Sequence, residues 1–192
     1  MPHYANSEPP DPSLLEAIRS LSPRCGHTTV VAIDGCGGAG KSTLAAALAR
    51  EFPESGIIHT DDFASWDVPL DWWPRLLDQV LIPLSQGKPA RYQRSDWGTR
   101  TLAEWHDFSA PILLLEGVSS SRREFRPYLS YAIWVDCPAE VRLARGLARD
   151  GDAMLDQWLA WMAAEDTYVA QHQPLEHANW VVRNGFVPTS EP

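Results

Sequence analysis

Residues 35–42 combine four glycines, a lysine and a serine at a spacing suited to binding phosphate. They fit the pattern G-x-x-x-x-G-K-[ST], in which small residues let successive backbone N–H groups converge on phosphate oxygens at the start of a helix. Lys41 would neutralise the β- and γ-phosphates of ATP, and the Ser42 hydroxyl would take one coordination site of Mg²⁺. The sequence therefore predicts a site for ATP and Mg²⁺ that comprises Gly35, Gly37, Gly38, Ala39, Gly40, Lys41, Ser42 and Thr43.

Acidic residues follow two short apolar runs of the sequence. Asp61 and Asp62 come after the run 56–59, and either could orient and deprotonate an acceptor hydroxyl or contact the metal. The structural alternative is that they cap the next element. Glu116 follows the run 112–115, where an acid can hold Mg²⁺ or its waters as Walker-B acids do. Its alternative role is that of a solvent-facing glutamate at a strand end.

Arg142, Arg145 and Arg149 are spaced by three and four residues, which places them on one face of a helix. Arginine pairs phosphate oxygens bidentately and keeps its charge, so such a row can clamp a triphosphate. We expect Arg145 to act in catalysis and the other two to bind the nucleotide, although arginine rows are often simply solvated. Arg122 has a weaker claim as a substrate-binding residue.

Acids and aromatic residues are concentrated between the second and third predicted strands, where an acceptor pocket would be built. An acid can accept hydrogen bonds from hydroxyl groups, and an aromatic ring can stack on a planar base. Tryptophan is also a common core residue, which is the alternative role for each ring. The candidates are Asp62, Asp71, Asp96, Trp66, Trp72, Trp73, Trp97 and Trp105.

Apolar runs that alternate with helical patterns should position these side chains. Five runs suit parallel strands buried on both faces: 28–33, 56–59, 112–115, 131–135 and 180–182. Helical spacing predicts helices over 13–21 (with Ser13 as the N-cap), 41–51, 72–84, 138–149 and 152–171, while 86–109 is predicted to be irregular. The expected fold is an α/β three-layer sandwich around an open, about five-stranded parallel sheet, with ligands beyond the carboxyl ends of the strands.

Length and composition limit the domain organisation and the classes of partner. The 192 residues suit one domain, predicted over 13–187 after a flexible segment 1–12, with an acceptor region at 62–109 and a lid at 138–152. A net charge of −9 argues against nucleic-acid binding, and no apolar run approaches a membrane span. Three widely spaced cysteines suggest neither disulfides nor zinc, so we expect a soluble cytoplasmic protein; oligomer formation stays open.

The combined motifs resemble the uridine kinase family of P-loop nucleoside kinases over about residues 30–151. H-T-D-D-F at 59–63 resembles the family's acidic D-x-F motif, which implies that Asp61 is the catalytic base and a neighbour of the metal. L-D-W-W at 70–73 resembles its substrate region, which implies that Asp71 binds ribose hydroxyls. S-D-W at 95–97 stands where the family has Tyr-Asp-Phe, E-G at 116–117 matches its strand end, and 135–150 resembles its arginine-bearing lid.

The sequence departs from the family in the acceptor region. Ser95 replaces a tyrosine that contacts the base, Ala64 replaces an aromatic residue, and the family's His-x-Arg is absent, leaving Thr99 and Arg100. The resemblance implies ATP-dependent phosphorylation of a hydroxyl group on a small molecule, with a nucleoside such as uridine or cytidine as one acceptor class. The alternatives are a vitamin precursor or sugar-like alcohol as acceptor, or a regulatory P-loop ATPase or nucleotide-binding module.

Overall fold

Five parallel strands form the central sheet in the computed structural model, which describes residues 9–65 and 70–185. The strands are β1 (Thr29–Asp34), β2 (Ser55–His59), β3 (Ala90–Asp96), β4 (Thr101–Phe108), β5 (Ile112–Glu116), β6 (Tyr131–Asp136) and β7 (Trp180–Arg183). The sheet order is β2-β5-β1-β6-β7, and a separate antiparallel hairpin pairs β3 with β4. The five runs predicted as strands all lie in the central sheet.

Alternate residues of the central strands pack against opposite faces of the sheet. On β1, Val30 and Ala32 belong to one hydrophobic cluster, whereas Val31 and Ile33 belong to another. Because successive side chains of a strand point to opposite faces, a strand that is apolar at every position must be covered on both sides. The expected three-layer α/β architecture is therefore confirmed.

Helices cover both faces of the sheet. The α-helices are α1 (Pro12–Arg19), α2 (Lys41–Glu51), α3 (Trp73–Leu76), α4 (Ile82–Ser85), α5 (Ala139–Asp150) and α6 (Leu155–His172). Helices α1 and α2 contribute to the cluster that contains Val31, while α3, α4 and the π-helical segment Leu77–Leu81 between them contribute to the cluster that contains Val30. Among the described helices, none combines the length and the apolar character needed to cross a membrane.

One local prediction about helices was wrong, and a second was right about the helix but not about its regularity. The N-cap of α1 is Asp11 and not Ser13, because Asp11 Oδ1 accepts the backbone N–H of Ser13 at 2.7 Å. The stretch predicted as one helix over 72–84 changes from α-helix to π-helix at Leu77 and back at Ile82.

The prediction that 86–109 is irregular was also wrong, since most of this stretch forms the hairpin of β3 and β4. Most of β4 is exposed, so the strand lacks the apolar alternation that would reveal it in the sequence. Arg75 fixes the hairpin by donating hydrogen bonds to the Gln93 carbonyl and to Ser95 Oγ, the second at 3.0 Å. This attachment brings the turn after β3 towards the carboxyl ends of the parallel strands.

Candidate active site

The phosphate loop, residues 35–42, connects β1 to α2 in the order that the sequence predicts. Gly38 has a positive φ of 76°, and a Cβ atom there would lie 2.7 Å from the Arg142 carbonyl oxygen. Only glycine fits this position, because both the backbone conformation and the space exclude a side chain. The loop ends at the N-terminus of α2, where backbone N–H groups favour anions.

Three side chains, one from the phosphate loop itself and two from distant elements, hold carbonyl groups of the loop. Lys41 Nζ donates to the Cys36 carbonyl at 3.0 Å, and Arg145 Nη1 donates to the Gly38 carbonyl at 3.1 Å. Asn184, which follows β7, donates its Nδ2–H to the Ala39 carbonyl at 2.7 Å. The loop is therefore held by its own lysine, by α5 and by the segment after β7.

Asp34, at the end of β1, joins the phosphate loop to two other segments. Its buried carboxylate accepts the N–H groups of Gly35 at 2.7 Å, Ser119 at 2.9 Å and Ser121 at 2.9 Å. The Ser121 hydroxyl at 2.6 Å and the Tyr168 hydroxyl at 2.5 Å complete the set. Sequence reasoning missed this role, and the only available signal was an aspartate at the carboxyl end of a buried strand.

Glu165 on α6 is a second residue that sequence reasoning missed. Its side chain is fully buried, and its Oε1 accepts the backbone N–H of Gly37 at 2.6 Å and the indole N–H of Trp161 at 2.8 Å. Its Oε2 accepts Arg142 Nη1 at 3.0 Å. Burial raises the pKa of Glu165, while the Gly37 N–H and the charges of Lys41 and Arg142 oppose that shift. No sequence signal connects this glutamate to a loop that lies 128 residues earlier.

The three arginines of α5 do not act as one row. Arg145 and Arg149 line a cavity of about 730 Å³ next to the phosphate loop. Arg142, which we predicted to contact the nucleotide, is instead buried against Glu165 and the Cys137 carbonyl. The residues share a helix face, but Arg142 lies one turn nearer the N-terminus of α5, where α6 covers it.

The predicted metal ligands Ser42 and Glu116 meet at the carboxyl edge of the sheet. Ser42 Oγ donates to Glu116 Oε1 at 3.1 Å, and His59 Nδ1 lies 2.6 Å from Glu116 Oε2. Burial acts to raise the pKa of Glu116, but the hydrogen bond with His59 and the charge of Lys41 outweigh it and lower the pKa. His59 was not among the predicted site residues, although it ends β2 directly beside them.

These oxygen atoms fit a magnesium ion. Across residues 9–65 and 70–185, no group of three or more His, Cys, Asp or Glu side chains has the geometry of a metal site. Mg²⁺ does not need such a group, because it is commonly held by one or two carboxylates, water and substrate phosphates. A serine hydroxyl beside an ionised glutamate supplies donors of the right chemistry.

The adjacent acids Asp61 and Asp62 have different surroundings. Asp61 lines the cavity, and the protein around its carboxyl group raises its pKa, with Lys41 opposing and Glu116 adding to the shift. Asp62 is buried, does not line the cavity and accepts Arg94 Nε at 2.8 Å. Of the two acids, Asp61 is therefore the one that a ligand in the cavity can reach.

The other predicted substrate residues lie in different places. Trp97 lines the cavity, as does Thr43 of the predicted nucleotide site, whereas Asp71 is exposed and does not line it. Asp96 caps the turn after β3, since its Oδ1 accepts two backbone N–H groups of that turn at 2.8 Å each. Trp66 lies outside the described residues.

Arg122 is held by the protein and does not reach the cavity. Its Nε donates to Glu124 Oε2 at 2.8 Å and its Nη1 donates to the Leu70 carbonyl at 2.8 Å. Its guanidinium lies 4.9 Å from the ring centre of Trp73. These contacts give Arg122 a structural role in place of the predicted contact with substrate.

Comparison with known proteins places the chain by its fold. No protein-family model matches the chain, and no curated protein matches its sequence. A Bacillus stearothermophilus protein described as a possible uridine kinase has a similar structure, with a TM-score of 0.67 at 23% identity over 88% of this chain and 95% of that one. The predicted P-loop kinase fold is confirmed.

A second solved structure supports the same assignment of fold. A Silicibacter protein described as a putative fructose transport system kinase has a TM-score of 0.58 at 19% identity. The match covers 88% of this chain and 97% of the Silicibacter chain. Both comparisons therefore support the same P-loop kinase fold over most of this chain.

Proposed function

We propose that this protein is an ATP-dependent kinase that phosphorylates a hydroxyl group of a small molecule. The observation that carries the proposal is that the phosphate loop, the Ser42 and Glu116 pair, and Asp61 all line one cavity. Binding of a nucleotide alone would need the loop and the metal ligands but not a carboxyl group of raised pKa facing the same space. The kinase descriptions of both structural neighbours agree with this proposal.

The nucleotide would lie along the phosphate loop with its γ-phosphate towards Asp61. Lys41 and Arg145, whose side chains already contact the loop, would place positive charge beside the transferring phosphoryl group. Arg149 Nε donates to Asp150 Oδ1 at 2.7 Å. Once this hydrogen bond breaks, Arg149 would approach the phosphates from the proposed lid, 138–152. Mg²⁺ held by Ser42 and Glu116 would neutralise the charge that develops on the phosphate oxygens.

Asp61 would act as the base. Its carboxylate takes the proton of the acceptor hydroxyl while the acceptor oxygen bonds to the γ-phosphorus and the bond from that phosphorus to the β–γ bridging oxygen breaks, releasing ADP. The raised pKa of Asp61 brings its proton affinity nearer to that needed at neutral pH, which improves general-base catalysis. Asp62, neutralised by Arg94, would support the position of Asp61 and not take the proton.

Within this class, we propose an acceptor bound between Asp61 and the hairpin of β3 and β4, in the region 62–109. Trp97 lies in the turn of the hairpin and donates its indole N–H to the Asp61 carbonyl at 3.0 Å, so this turn is next to the base. A nucleoside such as uridine or cytidine is the first acceptor to test, because of the motif resemblance. Vitamin-like and sugar-like alcohols are the second.

The test is release of ADP from Mg·ATP with and without each member of a panel of nucleosides, vitamin precursors and sugar alcohols. We expect release that depends on an acceptor, with a phosphorylated product identified by mass spectrometry. Hydrolysis at the same rate with every acceptor and with none would contradict the proposal and favour an ATPase. Lys41→Ala should abolish this release, and Arg50→Ala, which changes an exposed basic residue at the other end of α2, is its control.

A further inference from the structure

An unbroken series of contacts joins the phosphate loop to the segment that carries Asp61. Glu165 Oε1 accepts both the Gly37 N–H at 2.6 Å and the Trp161 indole N–H at 2.8 Å. The ring centre of Trp161 lies 6.1 Å from that of Trp97, whose own indole N–H donates to the Asp61 carbonyl at 3.0 Å. The series therefore leads from the proposed nucleotide site to the proposed base.

Glu165 is the point at which this series meets the phosphate loop. A buried carboxylate is expensive unless it is paired and fully hydrogen-bonded, and Glu165 has donors for both of its oxygens. Two of those donors, the Gly37 N–H and the Trp161 N–H, share one oxygen atom. A shift of either group must therefore disturb the hydrogen bond of the other.

Arg142 makes this arrangement possible by neutralising the charge. Its guanidinium donates to the second oxygen of Glu165 at 3.0 Å and is itself almost fully buried. Without it, an ionised glutamate beside Gly37 would repel the phosphates of the nucleotide. The pair thus offers hydrogen-bond acceptors to the loop at little net charge.

We propose that Glu165 is a positioning residue that fixes the phosphate loop at Gly37 and, through Trp161 and Trp97, fixes the backbone of Asp61 for phosphoryl transfer. This inference rests on the proposed kinase function. Its distinct content is that a residue of α6, with no contact to the reacting groups, sets the geometry between donor and base. Spatial continuity alone does not establish such coupling, so non-additive effects of substitutions are the criterion.

Two matched double variants isolate the acceptor oxygen of Glu165 from its charge. Arg142→Met with Glu165→Gln removes the ion pair but keeps an oxygen for Gly37 and Trp161, whereas Arg142→Met with Glu165→Met removes that oxygen as well. Both variants leave no unpaired buried charge and have similar side-chain volumes. We expect the Gln variant to keep kcat within about threefold and the Met variant to lose about tenfold or more, because small errors in alignment slow reactions strongly. Equal kcat values in the two variants would overturn the proposal.

A second measurement tests the route through the tryptophans. Trp97→Phe keeps a ring but removes the donor to the Asp61 carbonyl, so it should lower kcat in the wild-type background and have little further effect in the Met variant. Trp180→Phe, at a half-buried site on β7 that does not line the cavity, is the control and should change neither kcat nor KM. Fully additive effects of Trp97→Phe and the Met variant would refute the route.

A binding measurement separates this inference from the proposed function. A non-hydrolysable ATP analogue with Mg²⁺ is titrated while tryptophan emission is recorded, with Trp161→Phe identifying the share of the signal due to Trp161. We expect the Trp161 signal to respond in the wild type and the Gln variant and to be lost in the Met variant. Because Trp161 itself lines the cavity, a wild-type response alone does not establish the link, and the comparison with the Met variant decides. If no acceptor is phosphorylated but the response is present in the wild type and lost in the Met variant, the kinase proposal fails and the link from the loop to Trp161 stands. A response that persists in the Met variant refutes the link. If the wild-type Trp161 signal does not respond, the link is refuted whatever the reaction.

Discussion

Replacement of Asp34 by asparagine tests whether one buried carboxylate holds the active-site segments together. Asp34 Oδ1 accepts the N–H groups of Gly35 and Ser119, and Oδ2 accepts the N–H and hydroxyl of Ser121 and the hydroxyl of Tyr168. Asparagine has nearly the same shape but only one acceptor oxygen. Its NH₂ group must therefore face donors in either orientation.

The two orientations of the new amide group set the size of the effect. With the NH₂ group at the Oδ1 position, two backbone N–H groups, which cannot turn away, lose their acceptor. With NH₂ at the Oδ2 position, the hydroxyls of Ser121 and Tyr168 can rotate and accept, so only the Ser121 N–H is left unpaired. One unsatisfied buried donor costs about 1–3 kcal/mol, and the lost charge adds to this because hydrogen bonds to charged groups are stronger. We expect a loss of about 2–4 kcal/mol in the free energy of unfolding.

Denaturation by guanidinium chloride measures this loss, provided that the slope m is unchanged. Asp136→Asn is the matched control, because Asp136 ends the neighbouring strand β6 and is only half-buried. It should stay within about 0.5 kcal/mol of the wild type, as surface substitutions usually do. If Asp34→Asn also stays within that range, the carboxylate does not hold these segments together and the reasoning is wrong.

Three further predictions concern the reaction and its surroundings. Lys41→Ala should abolish turnover with every acceptor in the ADP-release assay while circular dichroism stays unchanged; retained turnover would remove Lys41 from the mechanism. Asp61→Asn should abolish turnover while nucleotide binding is kept. In the wild type, the apparent pKa of the acid limb of the kcat/KM profile should lie above the ordinary aspartate value of about 3.9, because the folded-state pKa of Asp61 is raised. Because the folded-state pKa of Asp61 is raised, the fold loses stability as the pH rises through that pKa and Asp61 ionises. Asparagine does not ionise, so Asp61→Asn should have a higher melting temperature than the wild type at about pH 7. Gly146→Ala should lower stability by about 1–3 kcal/mol, because its Cβ would lie 2.3 Å from Trp158 Cε2; an unchanged melting temperature would contradict this.

The sequence was sufficient for the fold because the central strands carry their signal locally. A parallel strand covered on both faces reads as an uninterrupted apolar run, and β1, β5 and β6 are runs of this kind. The hairpin lacks that signal, because β4 exposes Leu102 and Trp105 and buries only its last residue, Phe108. Its position depends on Arg75, whose contacts with the hairpin no periodicity encodes.

Parts of the candidate site were predictable for a related reason. The phosphate loop and the strand-end acids Asp61 and Glu116 follow from short motifs, and the parallel sheet brings the ends of their strands to one edge. Arg142 shows the limit, since its spacing from Arg145 is right for one helix face but the packing of α6 decides what that face contacts. The roles of Asp34 and Glu165 depend on partners far away in sequence, at separations of 85 residues for Ser119 and 128 residues for Gly37.

The proposed roles of Asp61, Glu116 and Asp62 follow from the groups that surround each acid and not from their positions in the sequence. Asp61 and Glu116 line the same cavity, yet their pKa values are shifted in opposite directions. Burial raises the pKa of Asp61, whereas His59 and Lys41 overcome the burial of Glu116 and lower its pKa. A carboxylate held ionised suits a metal ion, and one with raised proton affinity suits a base, so two acids of similar chemistry become specialised by their neighbours. In the proposed mechanism Asp62, although adjacent to Asp61, takes neither role, because it pairs with Arg94 and does not line the cavity.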